Sequence, residues 1–137
     1  MSRRSTGQRA LREIMGPEGE NLIGAAESDT FGAAIAGFAV DHAFGEIWTR
    51  PGLDRKARSL ITLTVMVALK QPDEFAIHMR AGLRNGLTLV EIEETMVQAL
   101  PYVGFPAVST ALAAAAKVIE QDKLDQHSHD KRDRSLL

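Results

Sequence analysis

The chain contains no cysteine, and that absence excludes more chemistry than any other count. Disulfide staples, thiolate metal sites, thiol nucleophiles and dithiol redox cycling all need a sulfur that is not there. Neither sign of charge dominates: 16 lysines and arginines stand against 18 acidic residues, for a formal net charge of −2. So balanced a chain lacks the electrostatic footprint of a nucleic-acid or anionic-membrane binder, so neither partner is expected. Long apolar runs are missing too. Leu60 to Leu69, the longest, is interrupted by Thr62 and Thr64 and is far shorter than the ~20 residues of a membrane-spanning helix. The opening Met1-Ser2-Arg3-Arg4-Ser5 is basic, but no apolar segment follows it as a secretory signal requires, so the expected location is the cytoplasm. Neither a glycine-rich phosphate loop nor a nucleophile elbow is present.

What is there reads as one globular domain. The 137 residues are 45% hydrophobic and 25% charged, ordinary values for a soluble fold with a single core. Turn signals at Gly16-Pro17, Pro51-Gly52, Gln71-Pro72, Gly86 and Gly104-Phe105-Pro106 separate segments whose apolar residues recur at helical period. They predict six helices, roughly over 6–15, 30–48, 54–70, 73–85, 88–101 and 106–122, with no strand: an all-α, compact bundle. Thr88 and Glu91 form a capping box, and Gly86 suits the left-handed residue that ends the preceding helix, which makes 73–101 a helical hairpin. Pro72 and Pro106 sit where a first helical residue loses no hydrogen bond. Ser59 to Leu69 is apolar nearly all round, as a central helix should be. Alanines 111, 113, 114, 115 and 116 put small side chains on every face of the last helix, so burial on more than one side, and with it a homo-oligomer, is expected. The bundle should occupy residues 1–120, with 121–137 a charged, flexible tail. His127 and His129 fall in that tail, where a polar segment is the better reading than a weak His-x-His metal site.

Three helices carry candidate chemistry. An apolar stripe through Phe31, Ile35 and Phe38 continues at helical spacing to His42 and Glu46, so this pair should face inward. It reads either as a buried histidine satisfied by a local carboxylate or as an acid–base pair. Arg55, Lys56 and Arg58 open the next helix, where the macrodipole disfavours cations and something anionic should be near. Arg58, nearest the apolar stretch, is suited to a bound carboxylate. Glu74 and His78 lie one turn apart, with Ala81 and Gly82 beyond them leaving room for a ligand or a neighbouring helix; a solvated surface pair is the alternative. The spacing of His42, Glu46, Glu74 and His78 matches no zinc or di-iron helical signature, so no metal is expected.

His42-Ala43-Phe44-Gly45-Glu46-Ile47-Trp48-Thr49-Arg50-Pro51-Gly52-Leu53, then Arg58-Ser59-Leu60-Ile61-Thr62, then His78 to Thr88, Glu91-Ile92, Gln98, Tyr102, Gly104 and Pro106 together resemble the 4-carboxymuconolactone decarboxylases. Gly7 to Gly16 resembles that family's first helix, so the likeness runs to about residue 120. The wider superfamily includes alkylhydroperoxidase D-like proteins, in which a Cys-x-x-Cys pair precedes the histidine equivalent to His78. Here those positions hold Gln71 and Glu74, which excludes thiol peroxidase chemistry.

The resemblance implies an alkylhydroperoxidase D-like fold and a cofactor-independent carboxy-lyase. Its reaction would convert 4-carboxymuconolactone to the β-ketoadipate enol-lactone in protocatechuate catabolism. The γ-carboxylated butenolide is its own electron sink, so the protein needs only to seat carboxylates, stabilise a dienolate oxygen and deliver one proton. On this likeness His78 is the proton donor or oxyanion stabiliser, and His42 and Glu46 complete the acid–base set. Arg58 and Arg80 bind the carboxylates of the small-molecule lactone, while Tyr102 and Trp48 line the pocket; scaffold or subunit contact is the alternative for Arg80, Trp48 and Tyr102. A ring of three or six subunits is expected. Phe44 where tryptophan is usual, Pro101, Val103 and Ser109 depart from the family pattern. They leave room for a different lactone, for a related elimination or isomerisation, or for a non-catalytic oligomeric homologue.

Overall fold

The computed structural model describes the backbone of residues 1–135 and the side chains of residues 1–125. Those residues are helical, with no strand among them. The chain runs through α1 (Arg3–Met15), α2 (Pro17–Glu27), α3 (Ala33–Phe38) and a π-helical continuation (Ala39–Ile47). It then forms α4 (Arg55–Ala68), α5 (Pro72–Arg84), α6 (Leu89–Val103) and α7 (Phe105–Ser135). No helix of the described residues is long and apolar enough to cross a membrane.

Local chemistry explains most boundaries. Ser2 caps α1 by accepting from the Ser5 amide, and Asp54 caps α4 by accepting from that of Ala57. Thr88 and Glu91 close the expected capping box on α6, and Gly86 takes φ +97° after α5. Three elements differ from the sequence reading. The segment after Gly16-Pro17 is a further helix, α2, started by Pro17 at its first position. The expected helix 30–48 is split, α-helical to Phe38 and π-helical beyond, where the Trp48 amide reaches back five residues to the Ala43 carbonyl at 2.9 Å. The last helix continues to Ser135 instead of ending at 122, because a charged sequence without apolar period can still hydrogen-bond as helix. His127 and His129 lie outside the residues whose side chains are described.

Two clusters make the core. Leu63 and Val67 of α4, Phe75 and Met79 of α5, Ile92 and Met96 of α6, and Ala107, Ala111, Ala115 and Val118 of α7 form the larger one. The smaller gathers Ala10, Leu11 and Ile14 of α1, Ile23 of α2, Val40 and Phe44 of the π-helix, and Ala81 of α5. Backbones approach closely where α1 crosses the π-helix: a Cβ on Gly7 would stand 1.9 Å from the Val40 carbonyl oxygen, and one on Gly45 would stand 2.6 Å from that of Arg3. No side chain fits there. Asn85 ties the end of α5 to the end of α1, donating to the Ile14 carbonyl at 2.7 Å.

Two faces expected inside are outside. α4 buries Ser59, Leu63 and Val67, but Ile61, Val65 and Leu69 are exposed, so in the single chain it is covered on one side only. Two stripes at helical spacing run through α3 and its continuation. Ala36, Val40 and Phe44 face the core, whereas Phe31, Ile35 and Phe38 stand in solvent, Phe38 being 63% exposed. Both stripes are apolar, so period alone could not choose between them; α1 packs where Gly37 and Gly45 offer no side chain.

Candidate active site

Where the smaller cluster meets α5, packing leaves a cavity of about 360 Å³. One wall is Leu11 and Met15 of α1 with Glu18 and Leu22 of α2; the opposite wall is Ala43, Phe44 and Trp48; Thr62 of α4 with Glu74, Ile77 and His78 of α5 completes it. This is a small-ligand size. Phe44 and Trp48 lie stacked, ring centroids 5.8 Å apart and planes nearly parallel, giving an apolar aromatic wall. A groove between α4 and α6 is larger, about 650 Å³, but holds no histidine.

His78 is half-buried. Burial pushes its imidazole below the usual histidine pKa, and the Glu74 carboxylate opposes that shift in part. Neutral imidazole therefore dominates near pH 7, and its conjugate acid, once formed, is a stronger acid than usual. Glu18 is held differently. Burial pushes its carboxyl up, but its own backbone amide and the guanidinium groups of Arg80 and Arg84 outweigh this and hold it below the ordinary range. Arg80 Nε lies 3.2 Å from one carboxylate oxygen and Arg84 Nη2 lies 3.3 Å from the other. Arg84 also donates to the Met15 carbonyl at 2.5 Å. These bonds clamp the α1–α2 corner onto α5 and so hold one cavity wall in place. The Thr62 hydroxyl donates to the Arg58 carbonyl at 2.8 Å, leaving oxygen lone pairs to accept from a ligand.

Of the residues singled out from the sequence, His78, its helical neighbour Glu74 and Trp48 line this cavity, whereas His42, Glu46, Arg58, Arg80 and Tyr102 do not. His42 is exposed, stacked on Phe38 at 5.7 Å, with Nδ1 3.5 Å from Glu46. Glu46 is itself paired with Arg3. The expected inward acid–base pair thus lies on the solvent side of the helix. Arg80 is occupied by Glu18, a carboxylate from the chain itself. Tyr102, 81% exposed, borders the α4–α6 groove. Arg58 donates from Nη2 to the Arg50 carbonyl at 2.9 Å, while its buried Nε has no partner. The anions near Arg55 and Lys56 are carboxylates of the chain itself, Glu13 at 2.7 Å and Glu91 at 3.4 Å. The room beside Ala81 and Gly82 is filled too: Ala81 packs with the α1 cluster, and Leu87 covers Gly82.

Sequence reasoning missed Glu18, Thr62 and the apolar wall of α1 and α2. Pro17-Glu18 opening a helix was the signal for Glu18, since carboxylates favour a helix N-terminus. Nothing local marks Thr62. No group of three or more metal-ligating side chains occurs among the described residues.

A histidine lowered by burial, beside a glutamate in an apolar cavity, suits proton transfer to or from a small molecule. The carboxymuconolactone decarboxylase family pattern matches residues 33–117, which include every cavity residue except those of α1 and α2. A 4-carboxymuconolactone decarboxylase of Acinetobacter baylyi is 39% identical over 90 residues, 66% of this chain and 67% of that protein. A nitrosuccinic acid decarboxylase of Metarhizium robertsii is 40% identical over 84 residues, 61% and 58% of the two chains. An uncharacterised 15.0 kDa protein of Paracoccus denitrificans is 38% identical over 82 residues, 58% and 60%. With an all-helical fold, a family pattern spanning most of the chain and this level of identity, the protein belongs to the carboxymuconolactone decarboxylase family.

Proposed function

We propose that the protein is a carboxy-lyase whose reaction takes place in the His78 cavity, with 4-carboxymuconolactone as the substrate to test first. The observation that carries this reading is a half-buried histidine with a lowered pKa in a largely apolar cavity of small-molecule size. Loss of CO₂ from a γ-carboxylated butenolide leaves an electron pair that spreads into the ring and the lactone carbonyl. The reaction then requires no cofactor. His78 supplies a proton or hydrogen bond, and the stacked Phe44–Trp48 wall seats the ring away from water. A well-placed donor to such an oxyanion is worth about 3 kcal/mol.

Neither Arg58 nor Arg80 lines the cavity, but Arg58, whose carbonyl accepts from the lining Thr62, is the better candidate for a substrate carboxylate. Its unpartnered Nε is a donor awaiting an acceptor, whereas Arg80 is already neutralised by Glu18. The deciding experiment incubates the purified protein with 4-carboxymuconolactone and follows CO₂ release and the loss of ultraviolet absorbance. No turnover by folded wild-type protein removes this substrate. Nitrosuccinic acid belongs in the same assay: a relative named for that acid has nearly the same identity as the one named for the lactone. Turnover of it alone would assign the cavity to a different carboxylated molecule.

The exposed Phe31, Ile35 and Phe38 stripe and the uncovered side of α4 favour assembly of several copies, three or six, in a cytoplasmic enzyme. His42 and Glu46 border that stripe, so any part they take in the chemistry would come through assembly. Mass in solution tests this.

A further inference from the structure

Decarboxylation consumes one proton per turnover. The bond to the carboxylate carbon breaks, CO₂ leaves, and the electron pair left behind forms a C–H bond with a proton that comes ultimately from water. Where His78 acts as the proton donor of the reading above, it must then be recharged. The ring is half-buried between α5 and the α1–α2 corner, so recharging requires a route to solvent.

Glu74 has the placement such a route needs. It lies one helical turn before His78 on α5, both side chains line the same cavity, and Glu74 is exposed to water. Other titratable groups around the ring are few. α2 contributes Glu18, tied up by Arg80 and Arg84. α1 contributes Leu11 and Met15, the π-helix Ala43, Phe44 and Trp48, and α4 the neutral Thr62. We infer that Glu74 is the positioning residue through which His78 exchanges protons with solvent, its carboxylate favouring the imidazolium while it exists. This inference rests on the decarboxylase reading for its catalytic part, and on the geometry of α5 alone for the coupling of the two groups.

Glu74→Gln keeps the shape and removes the proton-carrying carboxylate; Glu74→Asp keeps the carboxylate. Steady-state turnover of Glu74→Gln should fall about tenfold or more and recover as a small buffer acid such as imidazolium is raised from millimolar to several hundred millimolar. The first turnover of enzyme pre-equilibrated at low pH should stay close to wild type. Glu74→Asp should retain most of the activity without added buffer. Wild-type turnover in Glu74→Gln, or a loss that neither buffer nor the aspartate variant restores, would overturn the inference. A substrate-free measurement separates this from failure of the decarboxylase reading. The ring protons of His78, followed by NMR against pH, should titrate at lower pH in Glu74→Gln than in wild type. An unchanged His78 titration overturns the coupling whatever the protein decarboxylates; a shifted one with no decarboxylase activity keeps the coupling and removes the reaction assigned to it.

Discussion

Glu74–His78 on α5 and His42–Glu46 on the π-helix are the same local device, a histidine and a glutamate one helical turn apart. Their surroundings differ. α5 is packed by α1, α4 and α7, and where α1 and α2 meet it they leave a cavity around His78. The π-helix is covered on its Val40 and Phe44 side only, so His42 stands in water beside Phe38. Desolvation lowers the pKa of His78, and water and Arg3 share the other pair. Spacing within one helix makes a pair possible; what packs on that helix decides whether the pair does chemistry.

The strongest way to break this contrast is at His78. Replacement by alanine should lower kcat by about 10²–10⁴-fold in a CO₂-release assay, with helicity by circular dichroism unchanged. A variant as fast as wild type would remove the cavity from the mechanism. Next in size is the support behind it. Gly7→Ala sets a Cβ 1.9 Å from the Val40 carbonyl and should cost about 3 kcal/mol, seen as a Tm lowered by on the order of 10 °C. An unchanged Tm would mean that the α1 crossing is looser than its geometry.

Phe38→Glu puts a charge into the exposed stripe. It should bring the mass in solution down toward the 14.9 kDa of one chain, while leaving CO₂ release within about tenfold if the cavity is complete in one subunit. Unchanged mass would show that the stripe is not a contact between copies.

Glu18→Gln should cost about 1 kcal/mol, the usual scale of a partly exposed ion pair. Because the folded-state pKa is lowered, this stability is present above the ordinary glutamate value of about 4.3 and is lost as pH falls through the lowered one. The difference in Tm between variant and wild type should therefore shrink on acidification. A difference that is constant with pH would assign the effect to packing. His42→Gln should have the smallest effect, a few-fold at most; a loss comparable to that of His78→Ala would show that assembly carries the outer pair into a site.

The punctuation of the fold was legible in the sequence because its causes are local. The Thr88–Glu91 box and Gly86 act over four residues or fewer and stand where expected. α2 went unread because Gly16-Pro17 marks the start of a helix as well as a turn. The inward face of the segment 30–48 was misjudged because two apolar stripes share it. Within the site, resemblance and helical pairing reached His78, and Trp48 followed from the resemblance. Glu18 and Thr62 had no local mark: they lie 60 and 16 residues from His78 along the chain and meet it only through packing.

The sequence by itself determined that the protein is helical, free of thiol chemistry and built around blocks of a recognisable family, since composition, capping and helical period are properties of short segments. Only the tertiary structure decided that one histidine would be half-buried and the other left in water, that Arg80 would serve Glu18, and that Arg58 would keep an unpartnered donor. Desolvation and ion pairing depend on which distant segments arrive at a side chain, and no local pattern carries that information.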